Sequence, residues 1–522
     1  MKYIAIIGFG PRGLAAAEAL LRESGGAVRI DVFDPETAPA AGPNFHPEEP
    51  DLCKINLPMR AIDLPAPGSF DFPTFDVWSR VTDADTYPPR AELGSYFNDR
   101  LAALMAAHPE ALRLHQSCIT GAVRDDDRWL LEHDGGRVGP FDAVLLTLGQ
   151  PRTAPDAQIS KWQRAAATHN LTLTEAYPAR ELLAAARDWS DKTVAIRGLA
   201  LSTLDVVSIL TLGQGGAFDG QVYRASGNEP RAIVPFSLDG MPPAPKPVEA
   251  VDPGFDLLDG ELADLRDALK TALGQGPDEA LDSLTAALCP PVHRITGQDA
   301  RAWLETERDA PGTQRGDDPV AALRSGIDMA TGSAAPSVGY TLGQIWRKWQ
   351  PQLRQDFRAH AGRVDTRLAI LGFDTGLKRY SYGPPVSSAA LLLALVEAGL
   401  VRLGVADDPD IDVSQSGWRL DGETTAQVMV NAVLAAPDLA RVTDPLVTGL
   451  VSDGALTALD KGAGVRITPD GQPVGQDDQP VPGLYFLGRL TEGSAIATDS
   501  IHDCFGTFTA AFAAHATRPA DR

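Results

Sequence analysis

The sequence predicts an α/β fold organised around parallel sheets. Three observations carry this. A short apolar strand at the amino end runs directly into a glycine-rich turn and an alanine-rich helix. A second strand–glycine–helix unit begins at Thr193, and a late apolar strand covers Val481 to Arg489. Strands that alternate with helices build parallel sheets covered by helices. With 522 residues the chain exceeds what one hydrophobic core holds, so two domains or one elaborated domain are expected.

The opening stretch, MKYIAIIGFGPRGLAAAEAL, justifies the first unit. Tyr3 to Ile7 is short, apolar and bounded by glycine, the signature of a buried strand. Gly8-Phe9-Gly10-Pro11-Arg12-Gly13 follows in the pattern G-x-G-x-x-G, and Leu14 to Arg22 reads as a helix. Gly8 permits the tight turn, Gly10 lets backbone approach a pyrophosphate, and Gly13 lets the helix sit close to the strand. Pro11 suits the first helical turn, where its missing N–H costs nothing. The free N–H groups and the helix dipole there favour an anion. A second strand, Val28 to Phe33, ends in Asp34, where a carboxylate accepts hydrogen bonds from a ribose hydroxyl and repels a 2′-phosphate. This unit therefore fits FAD or NAD rather than NADP.

Pro35 to about Arg90 is irregular and proline-rich, but Phe45, Phe70, Phe72, Phe75 and Trp78 argue that it packs. Arg90 to Ala107 reads as a helix. Two strand-like runs around Asp125-Asp126-Asp127 read as a hairpin. Phe141 to Pro151 is another buried strand, ending at Gly149. In the second unit Gly198 holds the first glycine position, but Ala200 takes the second, where a methyl group hinders a pyrophosphate. Ser202 and Thr203 suit a helix cap and donation to phosphate. The next strand is placed at Gln221 to Arg224. It ends in a base, so Arg224, with Arg231, suits a 2′-phosphate. Asp252 to Arg358 reads as helix with loops, Pro311 to Pro319 as a polar loop. Strands are expected again at Leu368 to Leu371, Trp418 to Leu420 and Gln427 to Val433, with a closing helix at Ser494 to Ala514.

The formal net charge of −23 excludes an ordinary nucleic-acid binder and docking on anionic lipid. No apolar run is long enough to span a bilayer, and no signal peptide is recognisable, so a cytoplasmic protein is expected. The four cysteines lie far apart without C-x-x-C, and the nine histidines show no metal-ligand spacing, so no metal is expected.

These elements in this order resemble a two-dinucleotide-binding-domain flavoprotein. More narrowly, the chain resembles the bacterial FAD-NAD(P)-binding proteins, relatives of flavin-containing and N-hydroxylating monooxygenases. The carrying stretches are GFGPRGL (Gly8 to Leu14), AAGPNFHPEEPDLCKINLP (Ala40 to Pro58), TLGQP (Thr147 to Pro151), KRYSYGPP (Lys378 to Pro385) and LYFLGRLTEG (Leu484 to Gly493). The resemblance implies a Rossmann-like FAD-binding domain from 1–150 and 365–522. Inserted in it, at 190–364, is a second nucleotide-binding-like α/β domain carrying a helical insertion at about 250–360. It also implies FAD on Gly8, Gly10, Pro11, Arg12, Gly13 and Asp34, with Pro43 and Asn56 approaching the flavin and Gly149 and Gly488 nearby. Arg489 stands where many such folds place Asp, and would pair with a phosphate. NADPH would meet Gly198, Ser202, Thr203 and Arg224.

The implied activity is an FAD-dependent oxidoreductase, an NADPH-dependent monooxygenase that oxygenates a small molecule through a flavin hydroperoxide. Its partners are then a small substrate and molecular oxygen; a dimer is the generic expectation. Asn56, Lys54 and Arg60 are the candidates beside the ring, against structural or solvated roles for the same side chains. His46 is a further candidate acid or base. His502-Asp503-Cys504 does not read as a triad, because adjacent helical residues do not face one another. Two alternatives stay open: an oxidase or dehydrogenase reduced directly by its substrate, motivated by Ala200, and a non-catalytic nucleotide-binding protein.

Overall fold

Along the chain, β1 (Lys2–Ile7), α1 (Pro11–Ser24) and β2 (Val28–Asp34) form the opening unit, followed by α2 (Arg90–Ala107) and β3 (Leu112–Gln116). An antiparallel trio, β4 (Ile119–Asp125), β5 (Arg128–His133) and β6 (Gly136–Phe141), precedes β7 (Ala143–Leu146). Then come β8 (Thr172–Glu175), β9 (Thr193–Arg197), α3 (Leu201–Leu210), the hairpin β10 (Ala217–Phe218) and β11 (Tyr223–Arg224), and β12 (Ala232–Phe236). A helical stretch includes α4 (Val338–Ala359) and α5 (Val364–Ser381). The chain ends through β13 (Ile411–Ser414), β14 (Gly417–Leu420), β15 (Thr424–Ala426), β16 (Val428–Asn431), β17 (Leu484–Phe486) and α6 (Thr507–Thr517). This computed structural model describes residues 1–518 apart from 405–410, 421, 423 and 461.

The first sheet is parallel, in the order β17-β7-β1-β2-β3. Its core is made where Ile4 and Ile6 of β1 meet Leu14, Ala17 and Leu20 of α1, with Phe512 and Ala513 of α6 behind, all buried. Alanines along α1 keep its side chains short, which lets α6 lie against it. Inside this core lies a bidentate ion pair. Arg100 of α2 donates Nε–H to Glu18 Oε1 at 2.7 Å and Nη2–H to Oε2 at 2.6 Å. The same guanidinium donates to Pro65 O at 2.9 Å and Tyr96 Oη at 3.0 Å, so the irregular 35–90 segment is tied to the helices by it.

The second sheet is also parallel, in the order β12-β9-β16-β8. Its strands run from Thr172 to Asn431, so this unit draws on chain well to either side of the expected 190–364. The strand that follows α3 in the sheet is β12, whereas β11 pairs only with β10 in a separate hairpin. The sequence hides β12 because Pro235 interrupts its apolar run. An edge strand tolerates a proline, and β12 is at the edge. Leu368 to Leu371 is helix within α5 instead of strand; a four-residue apolar run does not discriminate between the two.

The chain leaves and re-enters the first domain side by side. Thr153 bridges Val442 antiparallel, Ala154 N–H donates to Arg441 O and Thr443 N–H to Arg152 O, each at 2.8 Å. Elsewhere the two domains meet through apolar contact, where Cys53 and Leu52 join the core around Leu182 and Val206, and through polar groups. Arg90 of α2 donates to Tyr177 Oη at 3.0 Å and to Asp205 of α3, and Tyr177 donates to the same carboxylate.

Removing one member of a buried ion pair strands the other charge. Glu18→Ala is therefore expected to cost about 3–5 kcal/mol, read as a lower urea midpoint. Glu18→Leu combined with Arg100→Met is expected to recover most of that loss.

Candidate functional site

The glycines of the opening turn divide into two kinds. Gly8 has φ +81°, and a Cβ there would lie 2.7 Å from Thr147 O. A Cβ on Gly13 would lie 2.7 Å from Gly8 O and 2.9 Å from the Phe9 ring. The protein itself requires both. A Cβ on Gly10 would meet only Gly42 Cα, at 3.8 Å, an ordinary contact. No protein atom demands glycine at 10, and Gly10 caps α1 with no side chain on the helix N–H groups. Gly42 faces it, its own Cβ position 3.4 Å from Gly10 Cα. The result is a backbone-walled corner at a helix start, the shape and polarity that a pyrophosphate needs. Pro11 occupies the first helical turn as expected.

Asp34 ends β2 and is buried. Its Oδ2 accepts Phe9 N–H at 2.5 Å and its Oδ1 accepts Glu36 N–H at 2.9 Å. The carboxylate thus fixes the turn it borders, and burial raises its pKa against the effect of these two donors. Arg12 is buried too. Its Nη2 lies 2.8 Å from Asp503 Oδ2 and donates to Thr498 O at 2.9 Å. Arg12 also borders Gly488, whose Cβ position is 3.4 Å from Arg12 Nε. Its guanidinium is committed to the C-terminal segment, so its part at the corner is to bring Gly488 there. Gly149 follows β7 with φ +62° and is exposed. Pro43 begins a short turn directly after Gly42 and is exposed as well.

Asn56 carries a buried Oδ1 that has no hydrogen-bond partner, while its carbonyl accepts from Lys246 Nζ at 2.7 Å. An orphaned carboxamide in the loop leading from Gly42 is the kind of group that a ring with N–H and C=O edges satisfies. Arg60 is different. It donates to Asp85 at 2.9 Å, Asp252 at 3.1 Å and Pro247 O at 3.0 Å, which leaves its guanidinium occupied in joining this loop to the helical stretch. Lys54 is half-buried, its carbonyl accepting from Arg90 Nε at 3.2 Å. His46 spends Nδ1 on Glu48 N–H at 3.2 Å. His502, Asp503 and Cys504 bond to Ala61 O, Arg12 and Ser500 O respectively, and do not face one another.

In the second unit Gly198 has φ +114° at the end of β9, and Ala200 caps α3 without a side-chain bond. Ser202 is half-buried, and the hydroxyl of Thr203 is fully buried without a partner. These three residues do gather at one helix start. Arg224 does not join them. It is exposed in the β10–β11 hairpin, paired with Asp219 at 2.8 Å. That hairpin packs by the carboxyl end of α3, where Ser226 Oγ donates to Gln214 O, so Arg224 lies at the end opposite Gly198. Arg231 bonds Thr193 and Lys192 at the start of β9, also the wrong end.

Beside Gly488 the structure assembles a polar cluster that the sequence reading missed. Arg489 donates to Ala435 O at 3.1 Å while its buried Nε has no partner. Lys378 Nζ lies 3.7 Å from Asp374 Oδ2, 3.6 Å from Glu492 Oε1 and 5.5 Å from the Tyr382 ring centroid. Asp374 Oδ1 accepts Trp346 Nε1–H at 2.7 Å; its Oδ2 and the Tyr382 hydroxyl are buried without hydrogen bonds. Burial alone would lower the Lys378 pKa, but Asp374, Asp499 and Glu492 raise it, so the amine stays charged. Burial raises the Asp374 carboxyl and pushes the Tyr382 phenol well up. The sequence signals were the stretches Lys378 to Pro385 and Leu484 to Gly493, which gave Arg489 a phosphate to pair with and no role to Asp374, Lys378, Tyr382 or Glu492.

Residues 5–151, which hold the glycine corner, match the family model described as FAD-NAD(P)-binding. The chain is 28% identical to an L-aspartate N-monooxygenase (nitrosuccinate-forming) of Streptomyces cremeus, over 86% of this chain and 82% of that one. A protein of the same description from Streptomyces davaonensis is 25% identical over 94% and 92%. Among solved structures, a cyclohexanone monooxygenase superposes with TM-score 0.46 at 13% identity, covering 98% of this chain and 86% of that one. The FAD- and NADPH-dependent monooxygenase expected from the sequence agrees with the family match and the two Streptomyces relatives. No described helix is long and apolar enough to cross a membrane.

Gly10→Ala is expected to leave circular dichroism and melting unchanged while yielding protein with little bound flavin, measured by its visible absorbance. Gly8→Ala and Gly13→Ala are expected to lower the melting temperature of the cofactor-free protein as well, since their side chains collide with the protein itself.

Proposed function

We propose that this protein is an FAD- and NADPH-dependent N-monooxygenase whose substrate is a small acidic amino acid, L-aspartate or a near analogue. The observation that carries this reading is the buried cluster beside Gly488, with unpartnered atoms of both polarities: Arg489 Nε, Asp374 Oδ2 and the Tyr382 hydroxyl, next to charged Lys378. Buried polar atoms left open are costly unless a ligand completes them. Cations for carboxylates and an acid for an amine, in one cluster, suit an amino acid.

FAD, when bound, stores the electrons of NADPH and brings oxygen to the substrate. The balanced reaction is amine plus O2, NADPH and a proton giving hydroxylamine, water and NADP+. The chain's part is to position and to manage protons. Lys378 and Arg489 hold carboxylates. Asp374, its pKa raised by burial, takes the proton that an ammonium must lose before its nitrogen has a lone pair to offer. The Tyr382 hydroxyl stays protonated and donates a hydrogen bond. Trp346 and the apolar side chains of α4 and α5 wall the side of Asp374 away from Lys378, which keeps water from that side of the carboxyl.

A second reading, an enzyme reduced directly by its substrate, draws on Ala200 at the start of α3. Anaerobic titration separates the two. The yellow protein is expected to be bleached by NADPH and recoloured by air, with L-aspartate giving an N-oxygenated product. A colour that NADPH leaves untouched and the substrate bleaches favours the second reading. Lys378→Met is expected to raise the KM for L-aspartate about tenfold or more, the equivalent of about 1.4 kcal/mol, without slowing bleaching by NADPH. Oxygen consumed by that variant is expected to appear as hydrogen peroxide.

A further inference from the structure

With Arg224 at the wrong end of the sheet, the group that reads the adenosine end of NADPH must lie elsewhere. In an open α/β unit the ligand crosses the carboxyl ends of the strands, and the end of the second strand meets the adenosine ribose. Here the first strand is β9 and the second is β12, which pairs with it in parallel and ends at Phe236. Ser237, Leu238 and Asp239 follow.

The helical stretch folds two arginines back onto this spot. Arg379, near the end of α5, donates Nη1–H to Asp239 Oδ2 at 3.1 Å and Nε–H to Gly376 O at 3.0 Å. Arg315, from the loop after Gly312, places Nη1 3.9 Å from the same oxygen and donates Nη2–H to Pro242 O. Its guanidinium lies 5.7 Å from the Tyr380 ring centroid. The Arg315 side chain is 7% exposed, yet Nη1 has no hydrogen-bond partner. Gly312, at φ +88°, leaves room for Arg379: a Cβ there would sit 1.6 Å from its Nη1.

Asp239 in this position would ordinarily accept a ribose hydroxyl. Its oxygens are already taken, Oδ1 by Ser237 Oγ at 3.1 Å and Met241 N–H at 3.2 Å, Oδ2 by Arg379. The other nearby acid, Glu307, accepts from Gly312 N–H at 3.0 Å and from the Tyr380 hydroxyl at 3.4 Å. What is left open at the strand end is guanidinium, whose planar fork matches a phosphate.

We propose that Arg315 and Arg379, braced by Asp239 at the carboxyl end of β12, form the site that recognises the 2′-phosphate of NADPH. This rests on the NADPH-dependent reading above. The site is assembled by the helical stretch and not by the strand's own residues.

The test uses the FAD-loaded enzyme and two fragments, adenosine 2′,5′-bisphosphate and 5′-AMP, with binding measured by calorimetry. The intact protein is expected to prefer the bisphosphate about tenfold or more, as charge-assisted hydrogen bonds are worth. Arg379→Gln and Arg315→Gln are each expected to erase most of that preference, leaving 5′-AMP binding and flavin content unchanged; Arg379→Gln is expected to keep the melting temperature, whereas Arg315→Gln lowers it by taking a buried cation from Asp239. Arg379 is the more exposed, so its variant serves if Arg315→Gln does not fold. A preference that survives in Arg379→Gln overturns the proposal while NADPH dependence stands. Equal weakening for both fragments means a scaffolding role and also overturns it. No preference in the intact protein overturns the proposal together with the NADPH part of the reading. None of these readouts depends on whether the substrate is oxygenated.

Discussion

Arg12 is a buried cation that must be paired, and its partners come from the other end of the chain. It sits in the first glycine turn, yet it bonds Thr498 O and pairs with Asp503. Leaving such a charge unpaired in the interior costs several kcal/mol, so the pairing is obligatory. Through it the segment from Gly488 to Asp503 is laid against the start of α1. Everything placed by that segment follows: Gly488 at the corner, Arg489 facing the return crossing, and Glu492 beside Lys378. The cofactor corner and the polar cluster are neighbours through this guanidinium together with the pairing of β17 and Leu487 with β7.

The second domain is held to the first by groups of the same kind. Arg90 donates across the junction to Tyr177 and Asp205, and Arg60 reaches Asp252, where Arg347 and Lys348 also converge. Lys246 donates to the backbone of Asn56 from the segment after β12. Its burial lowers its pKa well below the usual lysine range. These polar contacts surround the place where Cys53 and Leu52 enter the second domain's core, and add specific geometry to that apolar contact.

Local features were legible in the sequence, and long-range ones were not. The opening unit was readable because glycine spacing, apolar run and terminal acid are all local. The requirement for glycine at 8 and 13 follows from contacts of that unit with itself and with β7. The strand after α3 was misplaced because Pro235 masks an edge strand, and this carried Arg224 to the wrong end. The polar cluster draws on Asp374, Lys378, Tyr382, Arg489 and Glu492, two groups of residues far apart in sequence, and no periodicity links them. Arg60 is the opposite case: a charged residue in a promising loop whose three nitrogens each donate to structural partners.

The paired crossing at Thr153 and Val442 has a mechanical meaning. Two antiparallel connections, cross-linked by backbone hydrogen bonds, resist sliding along and stretching away from one another. The point where the chain leaves the first domain is thereby locked to the point where it returns, and the two ends of the second domain enter and leave in one register.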